Sequence, residues 1–131
     1  MTFIDTSVLI AIMARETDAD RWLSAVETAD DLVTSPLVLV EATMRLSSLL
    51  KAHPAEVQRS VDAVLAQIGA NVIPIEPVDT AFAIDAFARY GKGRGHPAQL
   101  NLADCLSYAC ARRLGARLLY KGDDFARTDL A

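Results

Sequence analysis

The chain has 131 residues, 52% of them hydrophobic and 23% charged, with a net charge of −4. That length suffices for one domain with a sizeable core, and the composition excludes a disordered chain. No apolar run approaches the roughly 20 residues of a membrane span, and no basic stretch precedes the N-terminal apolar run as in a signal peptide, so a cytoplasmic location is expected.

In chain order, residues 2–4 read as a short strand, followed by Asp5 and a helix over 7–13. A second helix spans 18–28, and Asp30 and Asp31 mark a turn before a strand at 32–34. Ser35-Pro36 is a strong helix start, with a hydroxyl at the N-cap and proline at the first helical position; that helix runs to about residue 50. His53-Pro54 breaks it, and a helix over 55–68 ends at Gly69. A strand over 71–75 is closed by Pro74 and Pro77, and helical spacing resumes over 78–90. Residues 91–97, "GKGRGHP", form a glycine-rich basic loop. A helix over 101–114 ends at Gly115, which suits a left-handed C-cap. A strand over 116–120 leads into the loop "KGDDF", 121–125.

Short strands alternating with helices predict an α/β fold: a short parallel sheet flanked by helices on both faces. In such sheets ligands collect at the carboxyl ends of the strands. Several acids fall there. Asp5 follows the first strand, Asp123 and Asp124 follow the last, Asp104 lies in the first turn of the 101–114 helix, and Glu41 lies on the helix after the second strand.

Each acid also has a plainer reading. Asp5 equally suits a helix N-cap, and Asp104 a first-turn acid behind an Asn101 cap. Glu41 suits an exposed pair with Arg45 one turn on, although Leu37, Val38 and Met44 suggest a partly buried face. Asp123 and Asp124 suit a solvated turn. Taken together these readings weaken, because converging carboxylates repel. Two charges about 5 Å apart cost roughly 3 kcal/mol at an effective dielectric near 20. Such a cluster needs protonation or a cation, and hard oxygen donors select Mg²⁺ or Mn²⁺ over zinc. Cys105 and Cys110 read as small core residues, with no metal-site spacing to His53 or His96.

The stretches "IDTSVLIA", "VEA" around Glu41, "YGKGRGHPAQLNLADCLSYACA" and "LLYKGDDFARTDLA" together resemble the PIN-domain ribonucleases, specifically the VapC-type toxins of bacterial toxin–antitoxin modules. The resemblance spans nearly the whole chain in order, and implies one PIN domain over residues 1–131. It implies a metal-dependent endoribonuclease using Mg²⁺ or Mn²⁺. Asp5, Glu41 and Asp104 match the first three acids of the family pattern. Asp124 matches the fourth best, with Asp123 as second choice, because the position two before Asp124, where many PIN domains carry that acid, is Gly122. Asp5 and Asp104 are the main expected metal holders, with Glu41 and Asp124 in support. Thr6 and Ser7 match hydroxyl positions that support the first aspartate or the metal water. The resemblance also implies an RNA substrate, a homodimer and a cognate VapB-type antitoxin that covers the acidic groove.

RNA needs basic guidance past such acids. Residues 1–88 hold 5 basic against 13 acidic residues, while 89–131 hold 8 against 4. This asymmetry allows a local basic surface. Lys92 and Arg94 are the candidate RNA contacts, with Arg112, Arg113 and Lys121 further out, whereas His96 reads as a loop residue. A phosphoaspartate protein is a weaker alternative, since "IDTS" lacks a second aspartate two residues on. A non-catalytic module is disfavoured by the presence of all four acids. Nothing in the residues excludes DNA as substrate.

Overall fold

The computed structural model describes all 131 residues. Its elements run β1 (Thr2–Ile4), α1 (Thr6–Met13), α2 (Ala19–Thr28), β2 (Leu32–Thr34), α3 (Pro36–Leu50), α4 (Pro54–Ile68), β3 (Asn71–Val72), α5 (Asp79–Tyr90), α6 (Leu102–Leu114) and β4 (Arg117–Leu119). The four strands form one sheet in the order β3-β2-β1-β4. Every pairing is parallel, with Phe3 opposite Val33 on one side and Leu118 on the other.

All three residues of β1 and of β2 are buried. Successive strand side chains point to opposite faces, so full burial means that both faces are covered. The α/β expectation therefore holds. α1 is a core helix, with Val8, Leu9 and Ala11 fully buried. α4 instead buries one stripe, Val57, Val61 and Leu65, as an amphipathic surface helix does. No helix is long and apolar enough to cross a membrane.

Two starts and one stop follow directly from local chemistry. Ser35 caps α3 ahead of Pro36, its hydroxyl accepting from the Val38 N–H at 3.4 Å. Asn101 and Asp104 form a reciprocal capping box on α6, and Gly115 ends that helix at φ 61°. The expected strand over 71–75 is cut to two residues. The Ile73 N–H still donates to the Thr34 carbonyl at 2.8 Å, but Pro74 has no N–H to continue the ladder, and its carbonyl turns to Arg113 at 3.0 Å. Cys105 and Cys110 are both buried and unbridged, as expected.

The strand order decides where a ligand can bind. Chain connections from β1 lead through β2 to β3, then return to β4 on the other side of β1. The order reverses between β1 and β4, and the crevice outside their carboxyl ends is the ligand position of such sheets. Asp5 follows β1 there, and the "KGDDF" loop follows β4.

Candidate active site

Asp5 is 6% exposed. Its backbone N–H donates to the Leu119 carbonyl at 3.0 Å, which ties the end of β1 to the end of β4. Its Oδ2 accepts from the Ser7 N–H at 3.1 Å and from the Ser7 hydroxyl at 2.6 Å. The N-cap reading of Asp5 is therefore correct for one oxygen. Oδ1 makes no hydrogen bond within the protein.

Asp104 repeats this division. It is 8% exposed, and its Oδ2 accepts from the Asn101 N–H at 3.0 Å while Oδ1 makes no hydrogen bond. Two buried aspartates thus each cap a helix with one oxygen and keep the other free. Burial pushes the Asp104 carboxyl up to about 7, and the charges of Asp124, Asp5 and Glu41 add to the rise against the opposing Asn101 N–H. Four acids from four separated segments therefore act on one another across the crevice.

Glu41 is half-buried on α3. It makes no ion pair with Arg45; the plain i,i+4 pair is not formed, and Met44 beside it is 66% exposed rather than buried. Burial raises the Asp124 carboxyl, the charges of Asp5 and Asp123 raise it further, and Arg45 lowers it. Arg45 is thus a basic neighbour of the cluster, which its spacing from Glu41 had masked in the sequence.

The two adjacent aspartates of "KGDDF" part company. Asp123 lines a groove of about 860 Å³ along β4 and α2, whereas Asp124 does not line it and acts on Asp104. Gly122 has φ 102°, a conformation that L side chains rarely adopt, which fits the absence of an acid there. As the side chains stand, no three His, Cys, Asp or Glu close into a ready-made metal cage.

The hydroxyls also divide. Ser7 supports Asp5 directly. Thr6 Oγ1 is buried without a partner and makes no bond to Asp5.

Lys92 and Arg94 are exposed and free of ion pairs, with the Arg94 guanidinium 5.7 Å from the centre of the Phe87 ring. Their loop closes where the Lys92 N–H donates to the Leu100 carbonyl and the Leu100 N–H to the Tyr90 carbonyl, each at 2.9 Å. This sets the loop beside the N-terminus of α6 and so beside Asp104. His96 is a structural loop residue, accepting from the Ala98 N–H at 3.0 Å with its ring 4.9 Å from that of Tyr90.

The outer basic residues are already engaged. Arg113 Nε donates to Asp79 at 2.6 Å, Arg112 pairs with Asp129 at 3.3 Å, and Lys121 pairs with Glu16 at 2.7 Å and Asp18 at 2.8 Å. These three are committed to ion pairs within the chain, of which only that to the buried Asp79 is largely shielded from solvent, and the sequence reading did not separate them from RNA guidance. Asp79, with no exposed side-chain surface, was missed altogether.

A parallel sheet in the order 3-2-1-4 with acids gathered at its carboxyl edge defines a class of protein. Residues 2–130 match the PIN domain family model, and the chain belongs to that family. Within it, the chain is 40% identical to a VapC ribonuclease of Rhizobium meliloti, covering 99% of each. It is 35% identical to ribonuclease VapC42 of Mycobacterium tuberculosis, covering 97% of this chain and 95% of that one. The fold also matches the crystal structure of Mycobacterium tuberculosis VapC20, described as a sarcin–ricin loop cleaving toxin, with a TM-score of 0.79 at 18% identity over 100% of this chain and 97% of that one. A toxin–antitoxin complex from Klebsiella pneumoniae matches with a TM-score of 0.73 at 18% identity, covering 99% and 94%.

Proposed function

We propose that this VapC-family chain is a single-domain, metal-dependent endoribonuclease that acts in the cytoplasm as the toxin of a toxin–antitoxin pair. The observation that carries the reading is that Asp5, Glu41 and Asp124 all act on the buried Asp104, whose carboxyl is held near 7 by burial first and by these charges in addition. A carboxylate in that state at neutral pH is poised to exchange its proton for a cation.

The donor set fits a hard divalent ion. Only oxygen ligands are present, and the free Oδ1 atoms of Asp5 and Asp104 are the primary holders. Mg²⁺ or Mn²⁺ suits this arrangement, because Mg²⁺ retains several waters and needs only one or two carboxylates rather than a closed cage. Such an ion, when bound, supplies charge neutralisation at the phosphodiester and a more acidic water.

The protein's own residues do the rest. Glu41 orients the attacking water from the α3 side of the crevice. Asp124 extends the acidic edge from the β4 side, supporting the first ion or holding a second. Ser7 keeps the Asp5 carboxylate in one orientation. Lys92 and Arg94 grip the RNA backbone beside Asp104. Hydrolysis forms one P–O bond from water and breaks one P–O bond of the chain.

The same acids explain control by a partner. A lysine or arginine from a VapB-type antitoxin entering the crevice would pair with the carboxylates in place of the cation. A homodimer is the assembly that accompanies this reading.

The test is cleavage of matched RNA and DNA strands by the wild-type chain and Asp5→Ala, with Mg²⁺ and with a chelator. RNA cleavage that requires the ion and disappears in a folded Asp5→Ala supports the reading. Full activity in that variant removes it, and equal cleavage of DNA removes the RNA specificity.

A further inference from the structure

The chain from Tyr120 to Ala131 contains no strand and no helix, so side chains fix the segment that carries Asp124. Lys121 anchors its start through Glu16, Asp18 and Ser7. Phe125 is 2% exposed, with its ring 5.4 Å from that of Tyr120. The third anchor is Asp129. Its Oδ1 accepts from the Tyr108 hydroxyl at 2.8 Å, and its Oδ2 pairs with Arg112 at 3.3 Å and Arg89 at 3.5 Å. Its backbone N–H donates to the Tyr90 hydroxyl at 3.3 Å.

Two turns link this anchor to Asp124. The Ala126 N–H donates to the Asp123 carbonyl at 3.3 Å, closing a turn around Asp124. The N–H and hydroxyl of Thr128 both donate to the Phe125 carbonyl, at 3.1 and 2.8 Å. Displacement at Asp129 is therefore passed back through a short, bonded path. On the other side, Tyr90 receives a 2.6 Å hydrogen bond from Arg89 and packs against His96 of the basic loop. One cluster thus holds both the segment bearing Asp124 and the loop bearing Lys92 and Arg94.

We propose that Asp129 is a positioning residue for the reaction: by clamping the C-terminal segment to Tyr90, Tyr108, Arg89 and Arg112, it keeps Asp124 at the carboxylate cluster. This rests on the reading of those carboxylates as cation holders.

The test is equilibrium Mn²⁺ binding, followed by electron paramagnetic resonance of the free ion, together with thermal melts. The proteins are the full-length wild type and its variants Asp5→Asn, Asp124→Asn, Asp129→Ala, Asp129→Asn and Asp124→Asn/Asp129→Ala. Asp129→Ala should weaken Mn²⁺ binding about tenfold. Asp129→Asn, which keeps an acceptor for Tyr108, should weaken it less. In the Asp124→Asn background, Asp129→Ala should change nothing further, since residues acting through one group are not additive. Unchanged affinity in Asp129→Ala, even with a lower melting point, overturns the proposal, as does an additive loss or an Asp124→Asn variant without effect. If Asp129→Ala does not fold, the same comparison with Asp129→Asn decides. Unchanged binding in Asp5→Asn would instead remove the cation reading itself.

Discussion

Ser7 and Lys121, 114 positions apart, are joined by a 2.9 Å hydrogen bond in which the Lys121 backbone N–H donates to the Ser7 hydroxyl. The same hydroxyl donates its own proton to Asp5 Oδ2 at 2.6 Å. One side chain therefore orients the first acid and ties the loop after β4 to the start of α1. Its donor and acceptor roles are both filled, so the hydroxyl cannot rotate without breaking one bond.

Ser7→Ala should consequently act on both stability and chemistry. Loss of the bond from Lys121 costs about 1 kcal/mol, and loss of the charge-assisted bond to Asp5 about 1.5–3 kcal/mol, in folding free energy. The misoriented carboxylate should lower kcat by about tenfold or more. Urea denaturation and single-turnover cleavage measure the two effects separately, and Ser7→Thr should restore most of the activity.

Asp104 predicts a pH dependence of definite sign. Its folded value of about 7 lies above the ordinary 3.8. Between those values the folded chain keeps a proton that the unfolded chain has released, so stability falls as pH rises through this window and levels off above it. Asp104→Asn should remove this slope, matching wild type only below about pH 4, with an advantage in melting point over wild type that grows from pH 5 to pH 8 without divalent ions, while losing cleavage at least about a hundredfold. Mg²⁺ should raise the wild-type melting point more at pH 8 than at pH 5. Melts at the two pH values, with and without Mg²⁺, check all three statements.

Lys92 and Arg94 should govern RNA affinity and its salt dependence. Replacing both with alanine should reduce the slope of log K against log salt by about 1.4, from roughly 0.7 per contact on a single strand. The rate at saturating RNA should change little. Binding to an uncleaved RNA at several salt concentrations measures the slope.

Arg113 should behave oppositely. Arg113→Ala strands the buried Asp79 carboxylate, whose remaining partners are the Glu76 N–H at 2.8 Å and the Cys110 thiol at 3.8 Å. The expected cost is about 3–5 kcal/mol, visible as an early chemical unfolding midpoint. The salt slope of RNA binding should stay at the wild-type value.

The amino-acid sequence by itself determined the order of strands and helices, because their signals are local. Pro36, Gly69 and Gly115 mark starts and stops through backbone geometry that needs no distant partner. It also marked Asp5 at a strand end, and Glu41 and Asp104 on helices, as acids able to face one crevice. Only the tertiary structure decided how each acid is used. Capping and cation binding require the same carboxylate in Asp5, and residue type cannot show that Oδ2 serves one while Oδ1 stays open. Asp123 and Asp124 are chemically identical neighbours, separated only by the turn that follows Gly122. Arg113 and Lys121 looked like free positive charges because Asp79, Glu16 and Asp18 lie 34, 105 and 103 positions away. Charge pairing depends on distance in space, and a linear sequence fixes that distance only after the chain has folded.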